Sequence, residues 1–310
     1  MVALDDLSGG LRENVPDGAE FIAGSIVDGK LVADLFRRHQ FKQVFHLAAF
    51  AAEQLSHCTR RLTYETNVLG SVELINAAVN CGSVRCFIFA SSIAVYGAVP
   101  MPATEETPPQ PADPYGVSKY AVELDLRAAG ERFGLNFIVF RPHNVYWERQ
   151  NLCDPNRNVV GIFMNQAMSG RPLTIFGDGT QTRAFTHVDT VASLMATSFE
   201  RPAAFNHVFN IGADQPCSIM DLARLVSTAM GVELQIEFRP ARAEVLHTHA
   251  THQKLRRFFD GVVQEVDLPE GIARMARWAK GKGGQPLRPS PNLEIVEGRA
   301  PRLRRDPPGS

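Results

Sequence analysis

Two rhythms of apolar and polar positions alternate along the chain. Nearly continuous apolar runs at residues 2–5, 20–24, 43–48, 86–91 and 136–141 read as short strands covered on both faces. Between them, residues 31–39, 66–80 and 115–133 carry apolar side chains at helical spacing. This repeat of strand, helix and strand predicts an α/β fold with a parallel, doubly wound sheet, whose ligands bind outside the carboxyl ends of the strands. After Arg141 the rhythm loosens, with short strands near 173–176 and 208–211 and helices near 188–199 and 218–230. A first domain over 1–145 and a smaller mixed region over 146–280 are expected. The Pro/Gly/Arg-rich residues 281–310 read as a mobile tail.

Composition narrows the function classes. Of 310 residues, 45% are hydrophobic and 21% charged, which excludes a wholly disordered or collagen-like chain. Lys+Arg 32 against Asp+Glu 33 gives a formal net charge of -1, so no global field holds a nucleic acid or an anionic membrane. Any anionic ligand must be gripped by locally placed groups. The longest apolar stretch, 44–52, is broken by His46 and is far shorter than the ~20 residues of a membrane span. Met1 is followed by Val-Ala-Leu-Asp-Asp, without the pattern of a secretory signal. Cys58, Cys81, Cys86, Cys153 and Cys217 form no Cys-x-x-Cys pair, which predicts reduced thiols and a cytoplasmic setting. His247, His249 and His252 lack an accompanying carboxylate or cysteine pattern, and no metal site is expected.

The candidate chemistry begins at Asp113-Pro114-Tyr115-Gly116-Val117-Ser118-Lys119, where Asp113 and Pro114 mark a helix start. Tyr115 and Lys119 then fall at i and i+4 on one face. A phenol has an ordinary pKa near 10, and a neighbouring cation favours its phenolate, so Tyr115 is a candidate general base with Lys119 as its tuner. Alone, such a pair usually marks an exposed helix face. The second element, residues 87–97, is an apolar strand running into Ser91 and Ser92. Serines at the carboxyl end of a strand lie where this fold places ligands. Ser92, Tyr115 and Lys119 together make a relay that can take the proton of a substrate alcohol while hydride leaves its carbon.

With these motifs the chain resembles the extended short-chain dehydrogenase/reductase family, and within it the NAD-dependent epimerases of the UDP-glucose 4-epimerase type. The resemblance runs over about residues 1–280. It rests on Leu4-Asp5-Asp6-Leu7-Ser8, Val44-Phe45-His46-Leu47-Ala48-Ala49, Asn67-Val68-Leu69-Gly70, the Ser-Ser-x-x-Val-Tyr-Gly and Tyr-x-x-x-Lys elements, Arg141-Pro142-His143-Asn144-Val145-Tyr146 and Gly177-Asp178-Gly179-Thr180-Gln181-Thr182-Arg183. It implies a Rossmann-like NAD-binding domain over 1–145 and a substrate-binding region over 146–280. It also implies NAD as cofactor, with Asp5 on the adenosine ribose hydroxyls, where a carboxylate repels a 2′-phosphate. Asp6, Ser25, Ile26, Leu47, Ala48, Ala49, Asn67, Ala90, Tyr115, Lys119 and Pro142 complete the implied cofactor contacts. Ser92, Asn144, Arg183 and Arg242 are implied for a nucleotide-diphosphate sugar, with Arg239 competing with Arg242; a guanidinium fork suits a diphosphate. A homodimer is implied as well.

Relatives that eliminate water or decarboxylate carry an extra carboxylate inside the serine motif, where this chain has Ile93 and Ala94. The resemblance therefore implies C4 epimerisation of a UDP-hexose or UDP-hexuronic acid through a transient 4-keto sugar. Two alternatives stay open: a silent paralogue that keeps the sugar-nucleotide groove, and a keto-sugar nucleotide reductase. The family's opening strand, Gly-x-x-Gly-x-x-Gly turn and helix have no counterpart here, which reads as an N-terminally truncated Rossmann-like fold with weakened NAD binding. Ser25, Trp147 and Ala184 replace the family's usual Asp, Gly and Asp.

Overall fold

The computed structural model describes residues 1–156, 158–242, 245–262, 265–287 and 293–295. Strands β1 (Val2–Asp5) and β2 (Glu20–Ala23) pair in parallel, with Val2 opposite Glu20 and Asp5 opposite Ala23. Strands β3 (Gln43–His46), β4 (Cys86–Ala90) and β5 (Phe137–Pro142) continue, with strand His207–Ile211, into a second parallel sheet. Its order is His207–Ile211, β5, β4, β3.

The unbroken apolar runs follow from cover on both faces of this sheet. Phe87, Phe89, Phe137 and Val139 pack with Phe36, Leu74, Ile75, Val122 and Leu126 from the helices Gly29–His39, Gly70–Cys81 and Pro114–Phe133. The alternate residues Cys86, Ile88, Ile138 and Phe140 pack on the other side with Val191, Leu194, Phe209 and Phe259. The α/β, doubly wound architecture read from the sequence is thus the observed one. Among the described residues no helix is long and apolar enough to cross a membrane.

Residues 146–280 contribute to two hydrophobic cores. A separate core gathers Tyr146, Phe163, Met164, Leu222, Val226, Ile272 and Met275, from helices Val159–Met168, Ile219–Met230 and Leu268–Lys282. Strand His207–Ile211 instead hydrogen-bonds to β5, and helix Val188–Ser198 packs beneath it. The chain thus returns to the edge of the four-stranded sheet beside β5, and the helix covers the face that carries Cys86, Ile88, Ile138 and Phe140. Part of the stretch expected as a tail, residues 281–287 and 293–295, is described. Helix Leu268–Lys282 runs into it, and the Glu294 carboxylate accepts from the amides of Arg61 at 2.7 Å and Leu62 at 2.9 Å. Residues 288–292 and 296–310 of that tail lie outside the described residues.

Candidate active site

Helix Pro114–Phe133 is built at its start to carry the site. The Asp113 side chain caps it by accepting from the Gly116 amide at 2.8 Å, and Pro114 takes the first helical position, where no amide donor is needed. A Cβ on Gly116 would stand 2.6 Å from the Ala94 carbonyl oxygen. Glycine therefore lets the first helical turn rest on the turn Ile93–Val95, directly after Ser92. Tyr115 is buried within that contact, its backbone amide donating to Ser56 Oγ at 3.2 Å.

One turn further on, Lys119 is 3% exposed and donates from Nζ to the Ala90 carbonyl at 2.7 Å. Its ammonium lies 4.8 Å from the Phe89 ring centroid and 5.9 Å from that of Tyr115. Burial pulls its pKa down from 10.5 to about 7, against the opposing pull of Glu123. Ser92 is also buried, with Oγ accepting from the Ala94 amide at 3.1 Å. The structure thus brings Ser92, Tyr115 and Lys119 to one strand end.

The depressed Lys119 pKa carries a sign. Between about pH 7 and 10.5 the unfolded chain holds one proton more at this residue, so its contribution to stability rises with pH, and its cost is complete below pH 7. Lys119→Met should therefore raise the melting temperature at pH 6 by roughly 2–6 °C. Melting curves at pH 6 and 9.5 check this, with the larger gain expected at pH 6.

A cavity of about 480 Å³ lies beyond the ends of β1 and β3, within the ordinary range for a cofactor site of roughly 300–1,000 Å³. Its wall contains Asp5, Asp6, Ser25, Ile26, Leu47, Ala48 and Ala49, all expected at the cofactor. A Cβ on Gly10 would come within 2.9 Å of both Asp5 carboxylate oxygens, so the loop after β1 closes on that carboxylate. Asp5 itself accepts from the Leu7 amide at 2.6 Å and keeps further lone pairs for a ribose diol. The adenosine end of a dinucleotide suits this acceptor, with apolar Ile26 and Ala48 in the same wall. The wall meets the helix Pro114–Phe133 through the segment ending at Leu55, next to Ser56 and hence to the Tyr115 amide. For the pyrophosphate between the two ends, Arg149 is the only cation among the described lining residues.

Other expected contacts have identifiable posts. Asn67, in the π-helical turn Glu65–Leu69, accepts from the Phe50 amide at 2.7 Å and donates to Ser118 Oγ at 3.0 Å. It braces the cavity wall against the long helix. Pro142 ends β5, and Asn144, at φ 31°, donates to the Ala184 carbonyl at 3.1 Å. Arg183 donates to the carbonyls of Thr182 and Leu246, while the Arg242 guanidinium lies 3.4 Å above the Phe176 ring. Sequence reasoning missed Gln150 and Asn151 in the cavity wall. Asn151 reaches the site by donating to the Gly9 carbonyl at 3.3 Å, a contact across 142 residues with no local signal.

A doubly wound sheet with Ser, Tyr and Lys at one strand end and a carboxylate at another defines a dehydrogenase/reductase-type fold of the short-chain kind. The chain belongs to the NAD dependent epimerase/dehydratase family, whose profile matches residues 1–212. It is 33% identical over 290 residues to the UDP-glucose 4-epimerase of Mycolicibacterium smegmatis, covering 91% of each chain. Among solved structures, it is similar to the Thermotoga maritima UDP-glucose 4-epimerase with UDP-glucose, at TM-score 0.86 and 30% identity over 91% of each chain. The Thermus thermophilus UDP-glucose 4-epimerase in complex with NAD matches at TM-score 0.83 and 31% identity, over 90% of this chain and 91% of that one. NAD is the cofactor of the family, as its name states.

Proposed function

We propose that the protein is a nucleotide-sugar 4-epimerase that inverts C4 of a UDP-hexose or UDP-hexuronic acid. The observation that carries this reading is the juxtaposition of Tyr115, Lys119 and Ser92, with Lys119 Nζ fixed on the Ala90 carbonyl. Bound NAD supplies reversible hydride acceptance at the sugar carbon. Tyr115 takes the 4-hydroxyl proton, Lys119 stabilises the phenolate, and Ser92 orients the hydroxyl; the same groups return the proton once the 4-keto sugar has turned over. Asp5 and Asp6 hold the adenosine end, and Tyr115 and Lys119 the nicotinamide ribose. Ser25, Ile26, Leu47, Ala48, Ala49, Asn67, Ala90 and Pro142 shape the cofactor channel. Asn144, Arg183 and Arg242 are assigned to the sugar nucleotide. The similarity to a UDP-glucose 4-epimerase solved with UDP-glucose supports the substrate class.

Ile93 and Ala94 sit at the serine turn without a carboxylate, so no acid or base is placed there to work beyond C4. Incubation of the NAD-loaded protein with UDP-glucose, followed by chromatography and mass spectrometry, should give UDP-galactose of unchanged mass. A product lighter by water, or consumption of added NADH in proportion to product, would overturn the epimerase assignment.

A further inference from the structure

Glu123 takes no part in the reaction above, yet it is 2% exposed, and its partner Arg141 is 3% exposed. It lies on the long helix one turn beyond Lys119 and two turns beyond Tyr115. Arg141, from β5, donates Nε to Glu123 Oε1 at 2.9 Å and Nη2 to Oε2 at 2.6 Å, a bidentate pair. The Ser91 hydroxyl donates to Oε1 at 2.5 Å. The remaining Arg141 Nη1 donates to Tyr96 Oη at 2.8 Å, which in turn donates to Asn210 Oδ1 at 2.8 Å.

Three successive residues at the end of β4 are therefore each committed. The Ala90 carbonyl holds Lys119, the Ser91 hydroxyl holds Glu123, and Ser92 is the serine assigned above to the sugar hydroxyl. A displaced Glu123 cannot leave Ser92 where it is, because Ser91 is bonded to both. We propose that Glu123, clamped by Arg141 and Ser91, is a positioning residue that fixes the strand end carrying Ser92 against the helix carrying Tyr115 and Lys119, and sets a fixed negative charge one turn from Lys119. The titratable groups around this centre are His46 from β3, Tyr96 after β4, Tyr115, Lys119 and Glu123 from the helix, and Arg141 from β5, with Glu105 acting on Tyr96 and Lys254 on the Arg141 side. Burial holds His46 neutral, with a pKa of about 3, so it adds no charge near neutral pH. Glu123 is thus the anion that opposes the desolvation of Lys119. Burying an ion pair is an expensive way to fix two elements, and its bidentate geometry gives a direction that apolar packing lacks.

The kinetic side of this inference rests on the epimerase reading; the charge side does not. Carbon-13 NMR of the lysine ε-carbons in the full chain, with Lys119 assigned by its loss in Lys119→Met, reads the charge side without cofactor or substrate. In Glu123→Gln the Lys119 titration midpoint should fall by about one pH unit or more. The turnover number should drop roughly 10- to 100-fold with little change in KM, and the alkaline limb of its pH profile should move to lower pH. Ser91→Ala keeps the ion pair and should lower turnover while leaving the midpoint in place. If Glu123→Gln does not fold, the double variant Glu123→Met/Arg141→Met removes both charges at similar volume and is read in the same way. An unchanged Lys119 midpoint in the charge variant that folds, or full turnover in Ser91→Ala, overturns the proposal. Absence of turnover of any UDP-sugar by the parent protein sinks the epimerase reading instead, and leaves the titration to decide this one.

Discussion

Tyr115→Phe should lower the epimerase turnover number by about 10²–10⁴-fold, the span usual for loss of a positioned acid–base group. The substitution keeps the ring that packs at the start of the helix and takes away the oxygen that would accept the 4-hydroxyl proton. Because Tyr115 is buried and its backbone amide is held by Ser56, the ring has little room to shift and let water serve in place of the phenol. The loss should appear in turnover rather than in KM, since the interaction is made in the transition state. Lys119 still holds the Ala90 carbonyl in the variant, so the fold and the cofactor channel should persist. Initial rates of UDP-galactose formation by the NAD-loaded variant and parent check this. Turnover within about threefold of the parent, well outside the acid–base range, would remove Tyr115 from the role of base.

The elements that position this site were legible where the local chemistry is unambiguous. Asp113-Pro114 opens the long helix because a capping carboxylate and a proline without an amide donor each suit its first positions. The run Cys86–Ala90 was readable as a covered strand because neither face has a polar alternation to expose. Asp5, Ser25, Ile26 and Leu47 to Ala49 were readable as one site through the resemblance, and the cavity wall contains all of them. Contacts made across the chain were not readable. The loop with Trp147, Gln150 and Asn151 joins the cavity through bonds such as Asn14 Nδ2 to the Arg149 carbonyl at 3.0 Å, which no periodicity announces. The Glu123–Arg141 pair did leave a trace: a carboxylate eight residues after Tyr115, on the same helical face, and an arginine ending an apolar strand run. Only the register of β4 and β5 joins those two facts, with Ala90 opposite Phe140.

Phe209→Ala should destabilise the protein by about 3–5 kcal/mol, as expected for deleting a buried aromatic ring, and should do so for both halves of the chain at once. Phe209 is fully buried on strand His207–Ile211, directly opposite Phe140 of β5. Its ring centroid lies 5.8 Å from that of Phe140, 5.2 Å from Phe258 and 5.3 Å from Phe259. These rings join a strand from the second half of the sequence, and the end of the helix Gln253–Phe258 with Phe259 after it, to the sheet formed by the first half. Its removal therefore opens a cavity at the seam, where neither half can close it by local collapse. For a chain of this size the melting temperature should fall by roughly 5–8 °C. Far-ultraviolet circular dichroism follows the whole fold, while tryptophan fluorescence follows Trp147 in the cavity wall and Trp278 at the second core. If the two cores unfold together, the two signals should shift by the same amount and remain superimposed. A dichroism curve that splits into two steps, only one of them lowered, would show that the second core melts independently of the sheet, and that the returning strand does not couple them.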